Sequence, residues 1–272
     1  MITILQVTDT HLSPRSDLFR ANFERMRAAA EAVRPDVVVA TGDLSLDGAD
    51  REKDLALAAE LHRGLPGTLL ALPGNHDVGS DARLMPHQTV DDARLARWRR
   101  HFGPGRGVLD LPGWRIVGLN TEVMGSGHAE EAAQAAFAAE AAAGAGTRRI
   151  ALFLHRPPCL ERMDEAWNPW SVPPEGRAAL APLLDHPGLR LVASGHIHLH
   201  HAVRRGTAMH VWGPALSFYC DPRDQPGLPG SRVPGALLHR LRDDHVETVA
   251  LEAGPLEAVC IEDVRDLTYP RG

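Results

Sequence analysis

Six short apolar segments along the chain each end in a cluster of small and polar residues, and this repeated arrangement restricts the fold. The segments are 2–7, 37–40, 69–72, 116–119, 150–154 and 189–193. Near-continuous apolar runs of this length are typical of strands that are buried on both faces of a sheet. We therefore predict an α/β protein in which these segments form the central strands.

Helical periodicity separates several of the predicted strands. Apolar residues recur every three or four positions in segment 19–33, as the buried face of an amphipathic helix requires. Similar patterns predict helices at 50–61, 91–102 and 175–184, and segment 132–145 is an alanine-rich helix candidate. Alternating strands and helices indicate βαβ units. The polar clusters are then expected at the carboxyl ends of the strands, where open α/β sheets bind ligands.

The last third of the chain has a different pattern. Segments 207–212, 235–241 and 246–251 predict strands without intervening helices, which would form an antiparallel edge or a second sheet. Residues 221–234 are rich in proline, glycine and charge, so they predict a long loop that serves as a lid or an interface. Because no linker or repeat divides the sequence, we expect one domain over 1–272. The motifs lie within 1–200, and 201–272 hold these strands and the loop.

Composition excludes several classes of function. The net charge of −6 disfavours binding to duplex nucleic acid, which requires a basic surface. Lys53 is the only lysine, so a phosphate-binding loop of the Gly-Lys-Ser/Thr type is absent. The three cysteines are far apart, which argues against a disulfide framework or a thiolate zinc site. No apolar run of about 18 residues occurs, so we expect a soluble, cytoplasmic protein that does not interact with membranes.

Five polar clusters at the predicted strand ends carry side chains that bind metals. They are Asp9-x-His11, Gly42-Asp43, Gly74-Asn75-His76-Asp77, His155 and Gly195-His196-x-His198. Carboxylate, imidazole and amide donors form a mixed set that suits Mn, Fe, Co or Zn. Alternate residues of a strand point the same way, so Asp9 and His11 are expected to bind one ion together. Burying so many ionisable groups without metals would leave their charges uncompensated.

The order of these motifs over residues 9–198 resembles the calcineurin-like metallophosphoesterase superfamily. Chain length and the Gly-Asn-His-Asp motif look most similar to bacterial class III cyclic-nucleotide phosphodiesterases and their glycerophosphodiesterase relatives. The resemblance implies a four-layer αββα sandwich with a dinuclear metal site at the carboxyl ends of the strands.

The resemblance also implies a role for each polar residue of the motifs. One metal would be bound by Asp9, His11, Asp43 and His198, and the other by Asp43, Asn75, His155 and His196. Asp43 would therefore bridge the two ions. His76 would be a catalytic histidine that faces the substrate phosphate without binding a metal, and it would stabilise the developing charge or protonate the leaving oxygen.

Three further residues are candidates for substrate binding. Relatives often have a second histidine directly after the ligand at position 155, where this chain has Arg156. The charged, planar guanidinium of Arg156 is suited to pairing with a phosphate oxygen. Trp167 and Trp170 follow in the same loop, where they would either pack the loop or stack against a nucleobase.

The leading hypothesis is hydrolysis of a small phosphodiester, a cyclic nucleotide or a glycerophosphodiester, by a hydroxide that bridges two metal ions. A phosphomonoesterase on the same fold is the nearest alternative. A nuclease and a non-catalytic interaction module are further alternatives, and a homo-oligomer is compatible with the sequence. A Cys159–His155 dyad is disfavoured because His155 is already assigned to a metal.

Overall fold

A computed structural model describes residues 1–243 and 245–268, except for the side chains of residues 267 and 268. The strands are β1 (Ile2–Val7), β2 (Val37–Thr41), β3 (Thr68–Leu72), β4 (Gly107–Leu111), β5 (Trp114–Gly118), β6 (Arg149–Phe153), β7 (Leu189–Ser194), β8 (His201–Arg205), β9 (Ala208–Trp212), β10 (Phe218–Tyr219), β11 (Leu237–Leu241), β12 (Val246–Ala250) and β13 (Val259–Cys260). The α-helices are α1 (Arg20–Val33), α2 (Glu52–Arg63), α3 (Asn75–Val78), α4 (Asp92–Phe102), α5 (Glu130–Ala143), α6 (Ala181–Leu184) and α7 (Ile261–Thr268). Two 3₁₀ helices span Thr121–Val123 and Pro174–Leu180. Of the helices described, none has the length and apolar character that crossing a lipid bilayer would demand.

Two large sheets contain most of the strands. The first has the order β12-β11-β1-β2-β3, in which β1, β2 and β3 are parallel, β11 is antiparallel to β1, and β12 is antiparallel to β11. The second has the order β4-β5-β6-β7-β9-β8, in which the four inner strands are parallel and the two edge strands antiparallel. Strands β10 and β13 form a separate parallel pair.

The two sheets pack face to face through alternate residues of their strands. Ile4 and Val39 of the first sheet share a buried cluster with Ile116 and Phe153 of the second. The intervening residues point outward, because successive side chains of a strand lie on opposite faces. Both faces of each central strand are therefore covered, which explains the near-continuous apolar runs.

Helices cover the two outer faces. Leu5 and Val38 of the first sheet lie in one cluster with residues of α1, α2 and α4, including Phe23 and Trp98. Leu152 of the second sheet lies in a cluster with α5, α6 and the longer 3₁₀ helix. The layers follow the order α, β, β, α, which confirms the predicted sandwich.

The segment from 174 to 184 differs from the single helix that the sequence predicts. A 3₁₀ helix is followed there by α6, which has only one turn. Pro182 has no N–H to donate to the Ala178 carbonyl, so a continuous α-helix would lose that hydrogen bond. The short strands β4, β8, β10 and β13 were also not predicted. The expected C-terminal strands divide between the sheets, since β9 lies beside β7 and β11 lies beside β1.

Candidate metal centre

The parallel strands of both sheets bring the five motifs together. Asp9 and Asp43 each lie two residues after the end of β1 and β2, and His155 and His196 lie two residues after β6 and β7. Asn75 begins α3, three residues after β3. Since neighbouring parallel strands end at the same edge of a sheet, these side chains converge where the two sheets meet.

The converging side chains form two groups of potential metal ligands. The first group contains Asp9, His11, Asp43 and His198, and the second contains Asp43, His155 and His196. Within each group the ligand atoms lie within 4.8 Å of one another, and all of these residues are buried. Asn75 is adjacent to the second group, with its Oδ1 atom 3.2 Å from His155 Nε2. Asp43 is the residue that the two groups share.

The backbone of these residues is in an unusual conformation. Among the residues that the structure describes, six other than glycine have a positive φ, and five of them are Asp9, His11, Asp43, His196 and His198. A residue with a side chain adopts this left-handed region at a cost of order 1–3 kcal/mol, and such residues cluster at functional sites. Asp9 and His11 therefore do not lie on a strand, and the alternation argument for their pairing was wrong.

Two glycines permit the close approach of the chain segments around the candidate ligands. Gly42 has a φ of +91°, and a Cβ atom there would lie 2.3 Å from Nδ1 of His155. A Cβ atom on Gly195 would lie 1.9 Å from Oγ1 of Thr8 and 2.6 Å from Oδ2 of Asp9. Any larger residue at these positions would displace a candidate ligand or its neighbour.

Backbone carbonyls fix the orientation of three histidine rings. Nδ1 of His155 donates to the Thr41 carbonyl at 2.8 Å, and Nδ1 of His198 donates to the Phe218 carbonyl at 2.6 Å. Nε2 of His196 donates to the Pro169 carbonyl at 2.9 Å. Since a carbonyl only accepts, the other ring nitrogen of a neutral imidazole is the one with a lone pair. This arrangement is typical of histidines that bind metals.

The residues present fit a metal site. Oδ1 of Asp9 and both ring nitrogens of His11 are buried and make no hydrogen bond. Buried polar atoms without partners cost about 1–3 kcal/mol each. A cation at the first group would satisfy Oδ1 of Asp9 and one ring nitrogen of His11, and the mixture of oxygen and nitrogen donors suits a divalent transition metal.

Asp43 also controls the electrostatics of its neighbours. Burial by itself lowers the pKa of His155, but the charge of Asp43 and a hydrogen bond to it raise that pKa to about 10. Burial, followed by the charge of Asp43, raises the pKa of Asp77 to about 6. Asp77 accepts hydrogen bonds from the backbone of Leu44, Ser45 and Gly74, and it thereby holds the segments on either side of the site.

His76 lies beside the first group. Its Nδ1 atom donates to the Leu46 carbonyl at 2.8 Å, and its backbone N–H donates to Oδ1 of Asp43 at 2.8 Å. The His76 ring meets the His11 ring edge-on at a centroid distance of 4.6 Å. The residue is thus next to the candidate ligands, and its ring is held by the Leu46 carbonyl, which is not one of them.

A cavity of about 270 Å³ opens onto the candidate ligands. Asp43, Asn75, His196 and His198 form part of its wall. The other lining residues are Leu84, Met85, Pro169, Trp170, Phe218, Cys220, Asp224, Ile261 and Arg265. The Trp170 ring centroid lies 6.0 Å from that of His196. The cavity therefore combines polar ligands on one side with apolar and aromatic walls.

The three predicted substrate-binding residues are placed differently from one another. Of the residues that the structure describes, the cavity lining includes Trp170 but neither Trp167 nor Arg156. The guanidinium of Arg83 lies over the Trp167 ring at 5.3 Å. The expectation that Trp167 forms a wall for the substrate is not retained.

Arg156 contacts protein groups in place of the expected phosphate. It is 1% exposed, and its guanidinium lies 3.4 Å from Asp81 and 3.4 Å from Glu122 while donating to Ser80. Its charge is therefore already paired. The structure corrects our hypothesis of direct substrate contact, since Arg156 instead joins the segment after β6 to that after α3.

Cys159 is not paired with His155. Its Sγ atom accepts a hydrogen bond from Arg205 at 3.1 Å, and it lines a second cavity of about 400 Å³ on another part of the surface. Burial raises the pKa of the Cys159 thiol. These observations leave the cysteine–histidine dyad without support.

The C-terminal part contributes residues to the site that no sequence motif indicates. The Phe218 ring lies 4.4 Å from that of His198, and the Phe218 carbonyl orients the same histidine. Ser217 donates from Oγ to the Asp9 carbonyl at 2.6 Å. The sequence does not indicate either residue clearly, because both follow β9, a strand that does not end in a polar motif.

Two groups of carboxylate and imidazole side chains thus lie at the ends of the strands of an αββα sandwich. A sequence profile for the calcineurin-like phosphoesterase family matches residues 2–200, and the chain belongs to this family. The recognition from the motifs is confirmed, and so is the prediction of a phosphoesterase.

The chain is similar to several characterised or named proteins. It is 27% identical to a probable cyclic nucleotide phosphodiesterase of Synechococcus sp. over 84% of both chains. It is 24% identical to a probable glycerophosphodiester phosphodiesterase of Arcobacter nitrofigilis over 72% of this chain and 71% of that one. A dimetal phosphatase from Danio rerio has a similar fold, with a TM-score of 0.54 and 16% identity over 92% of this chain and 99% of the other.

Proposed function

We propose that this protein hydrolyses a small phosphodiester, with a cyclic nucleotide as the favoured substrate, at a pair of divalent metal ions. The observation that carries the proposal is the position of Asp43. This carboxylate belongs to both ligand groups and also lines the cavity. A shared carboxylate is what a dinuclear hydrolytic site requires, and the cavity gives a substrate access to it.

The ligand roles follow the two groups. We assign Asp9, His11, Asp43 and His198 to one ion and Asp43, Asn75, His155 and His196 to the other. Two such ions would supply an activated water molecule and neutralise charge on the phosphate. The donor set is compatible with Mn, Fe, Zn or Co.

Three side chains around the candidate ligands have further roles: His76 would donate a proton, and Asp77 and Arg156 hold the surrounding chain. The Leu46 carbonyl holds the His76 ring through Nδ1, so Nε2 is the atom that would donate a proton to the leaving oxygen. Asp77 holds the backbone that directly follows Asp43, through hydrogen bonds from the N–H groups of Leu44 and Ser45. Arg156 contributes indirectly, through its ion pairs with Asp81 and Glu122.

The walls of the cavity support a cyclic nucleotide over a smaller diester. Trp170 offers an aromatic ring near His196, and Leu84, Met85 and Phe218 add apolar surface. A flat nucleobase gains from such contacts because stacking on an aromatic ring is worth about 1–3 kcal/mol. Glycerol derivatives would leave the apolar walls in contact with water. The similarity to the Synechococcus phosphodiesterase supports the same choice.

A panel of substrates tests the proposal. Protein freed of metal and reconstituted with Mn²⁺ is assayed with 3′,5′-cyclic AMP, glycerophosphocholine, bis-p-nitrophenyl phosphate and p-nitrophenyl phosphate. We expect turnover of cyclic AMP and of the aryl diester, with the monoester slower. Turnover of glycerophosphocholine alone would move the substrate to glycerophosphodiesters, and turnover of the monoester alone would identify a phosphomonoesterase.

Elemental analysis of the purified protein tests the alternative of a non-catalytic interaction module. We expect two metal ions per chain. A protein that binds none after reconstitution and hydrolyses no ester would be an interaction module that has kept the fold.

A further inference from the structure

Arg177 is a buried arginine that holds the loop between β6 and the longer 3₁₀ helix. It is 3% exposed. Its Nε donates to the Val172 carbonyl at 2.9 Å, and its Nη1 donates to the carbonyls of Met163 at 2.9 Å and Glu165 at 2.7 Å. Its Nη2 donates to Oγ of Ser171 at 3.2 Å. The Arg177 guanidinium therefore bonds to four residues of the irregular segment 163–172.

The central part of this loop is fixed by further hydrogen bonds. Oδ1 of Asn168 accepts from the backbone N–H groups of Trp170 and Ser171, and Nδ2 of Asn168 donates to the Glu165 carboxylate at 3.1 Å. The Glu165 carboxylate lies 3.5 Å from Arg177. Pro169 lies within this network, so the direction of its carbonyl depends on the loop that Arg177 holds.

The Pro169 carbonyl accepts the hydrogen bond from Nε2 of His196. We propose that Arg177 is a positioning residue that aligns His196 as a metal ligand through this carbonyl, an inference that rests on the proposed function. The bond places the proton on Nε2 and keeps the Nδ1 lone pair available to an ion. The first group contains neither His196 nor any residue of this loop.

The same loop carries a wall of the substrate cavity. Trp170 follows Pro169 directly and lines the cavity. A change at Arg177 therefore affects the second metal group and the aromatic wall together, and it leaves the first group intact. Loss of a partner that orients a histidine ligand typically weakens metal binding about 10- to 100-fold.

Titration of the metal-depleted protein with Mn²⁺ alone tests this inference by calorimetry. For Arg177→Met, we expect one of the two binding events to weaken about 10- to 100-fold and the other to keep its wild-type affinity. Arg162→Met is the matched control, because Arg162 lies in the same loop, is 74% exposed and pairs with Asp164. It should leave both affinities unchanged. Arg177→Lys keeps the charge but reaches fewer acceptors, so it should give an intermediate affinity.

Two results would overturn the inference. Wild-type affinity at both sites of a folded Arg177→Met protein would show that Arg177 acts on the loop only. Equal weakening at both sites would show general damage to the structure. If Arg177→Met does not fold, Pro169→Gly replaces it, because glycine frees the backbone that carries the accepting carbonyl while Arg177 stays in place. Unchanged affinities in that variant would equally refute the alignment.

Failure of the proposed function gives a different result. It would appear in the wild-type protein as fewer than two bound ions or as no hydrolysis of diesters. The inference about Arg177 fails when the wild-type protein binds two ions and the folded variants either bind both as tightly or lose affinity equally at both sites.

Discussion

Asp43 is the residue that the two candidate ligand groups share. Its Oδ2 atom lies 3.4 Å from Nε2 of His155 and 3.8 Å from Nε2 of His11, so it stands between one histidine of each group. We predict that Asp43→Asn abolishes diester hydrolysis and lowers the metal content below two ions per chain. The neutral amide would face two divalent ions without compensating their charge. Elemental analysis and an assay with bis-p-nitrophenyl phosphate measure both effects.

Asp47→Asn is the control for this variant. Asp47 is only four residues away, but it accepts hydrogen bonds from Arg51 and Gln88 and belongs to neither ligand group. Its variant should keep two ions and most of the activity. Two ions bound to Asp43→Asn, together with near-wild-type turnover, would refute the assignment of Asp43.

His76 is predicted to act on the substrate and not on the metals. His76→Ala should keep two ions per chain and reduce kcat roughly 10²–10⁴-fold, which is the usual contribution of a positioned acid–base group. The backbone N–H that donates to Asp43 remains in the variant, so the ligand geometry is retained. Metal content and kcat are measured on the same preparation. Loss of an ion from this variant would place His76 among the ligands.

The types of the candidate ligands could be read from the sequence, but their backbone conformation could not. Aspartate, asparagine and histidine after buried strands indicated metal binding by their chemistry alone. Asp9, His11 and Asp43 nevertheless adopt a left-handed φ, which residues with side chains do only when the surrounding structure imposes it. No local pattern contains that information, because the imposing contacts come from other strands.

The loop that leaves β6 separates two tryptophans that the sequence could not distinguish. Trp170 lines the cavity, whereas Trp167 lies under the Arg83 guanidinium. We predict that Trp170→Ala raises KM for cyclic AMP roughly 5- to 150-fold, as the loss of about 1–3 kcal/mol of stacking implies. Turnover of bis-p-nitrophenyl phosphate should change much less. Steady-state kinetics with both substrates measure the difference.

Trp167→Ala is the matched control, and it should leave KM for cyclic AMP near the wild-type value. If the two variants behave alike, or if Trp170→Ala affects both substrates equally, Trp170 only packs the loop. The preference for a nucleotide would then lose its main structural support.

Elements with strong periodicity were predictable, and short irregular ones were not. The predicted helix 19–33 corresponds to α1 within one residue. Strands β10 and β13 have two residues each, and they pair over a distance of about forty residues in the sequence. A strand of two residues is too short to show periodicity. The pairing of β10 with β13, which places Phe218 beside His198, could therefore be found only from the folded structure.

At the scale of the whole molecule, the cavity is assembled from parts of the chain that are far apart. The segments after the motif-bearing strands supply the candidate ligands, while Phe218, Asp224 and Ile261 from the C-terminal part also line the cavity. Gln225 in the long loop donates to the Ile197 carbonyl, so this loop is attached directly beside a ligand motif. The sequence predicted the loop, but its position depends on these distant contacts.

Stability of the whole fold should depend on pH through a histidine far from the site. His62 lies in α2 with no exposed surface, its Nδ1 donates to the Ala58 carbonyl, and its ring is 5.0 Å from that of Phe23. Burial lowers the pKa of His62 from 6.5 to about 4. Nε2 of His62 makes no hydrogen bond, so an apolar replacement removes only the bond from Nδ1 to the Ala58 carbonyl.

The sign of the effect follows from where the proton binds. Between pH 6.5 and 4 the unfolded chain binds a proton at His62 while the folded protein does not, so stability falls as the pH falls, by about 1.4 kcal/mol per pH unit. His62→Leu removes this dependence. The free energy of unfolding of His62→Leu minus that of the wild type should therefore be about 2 kcal/mol larger at pH 5 than at pH 7. Urea unfolding at both pH values measures the difference, and the exposed His87→Gln change serves as the control. If the difference in free energy of unfolding between the wild type and His62→Leu is the same at pH 7 and pH 5, His62 is not held neutral in the folded protein.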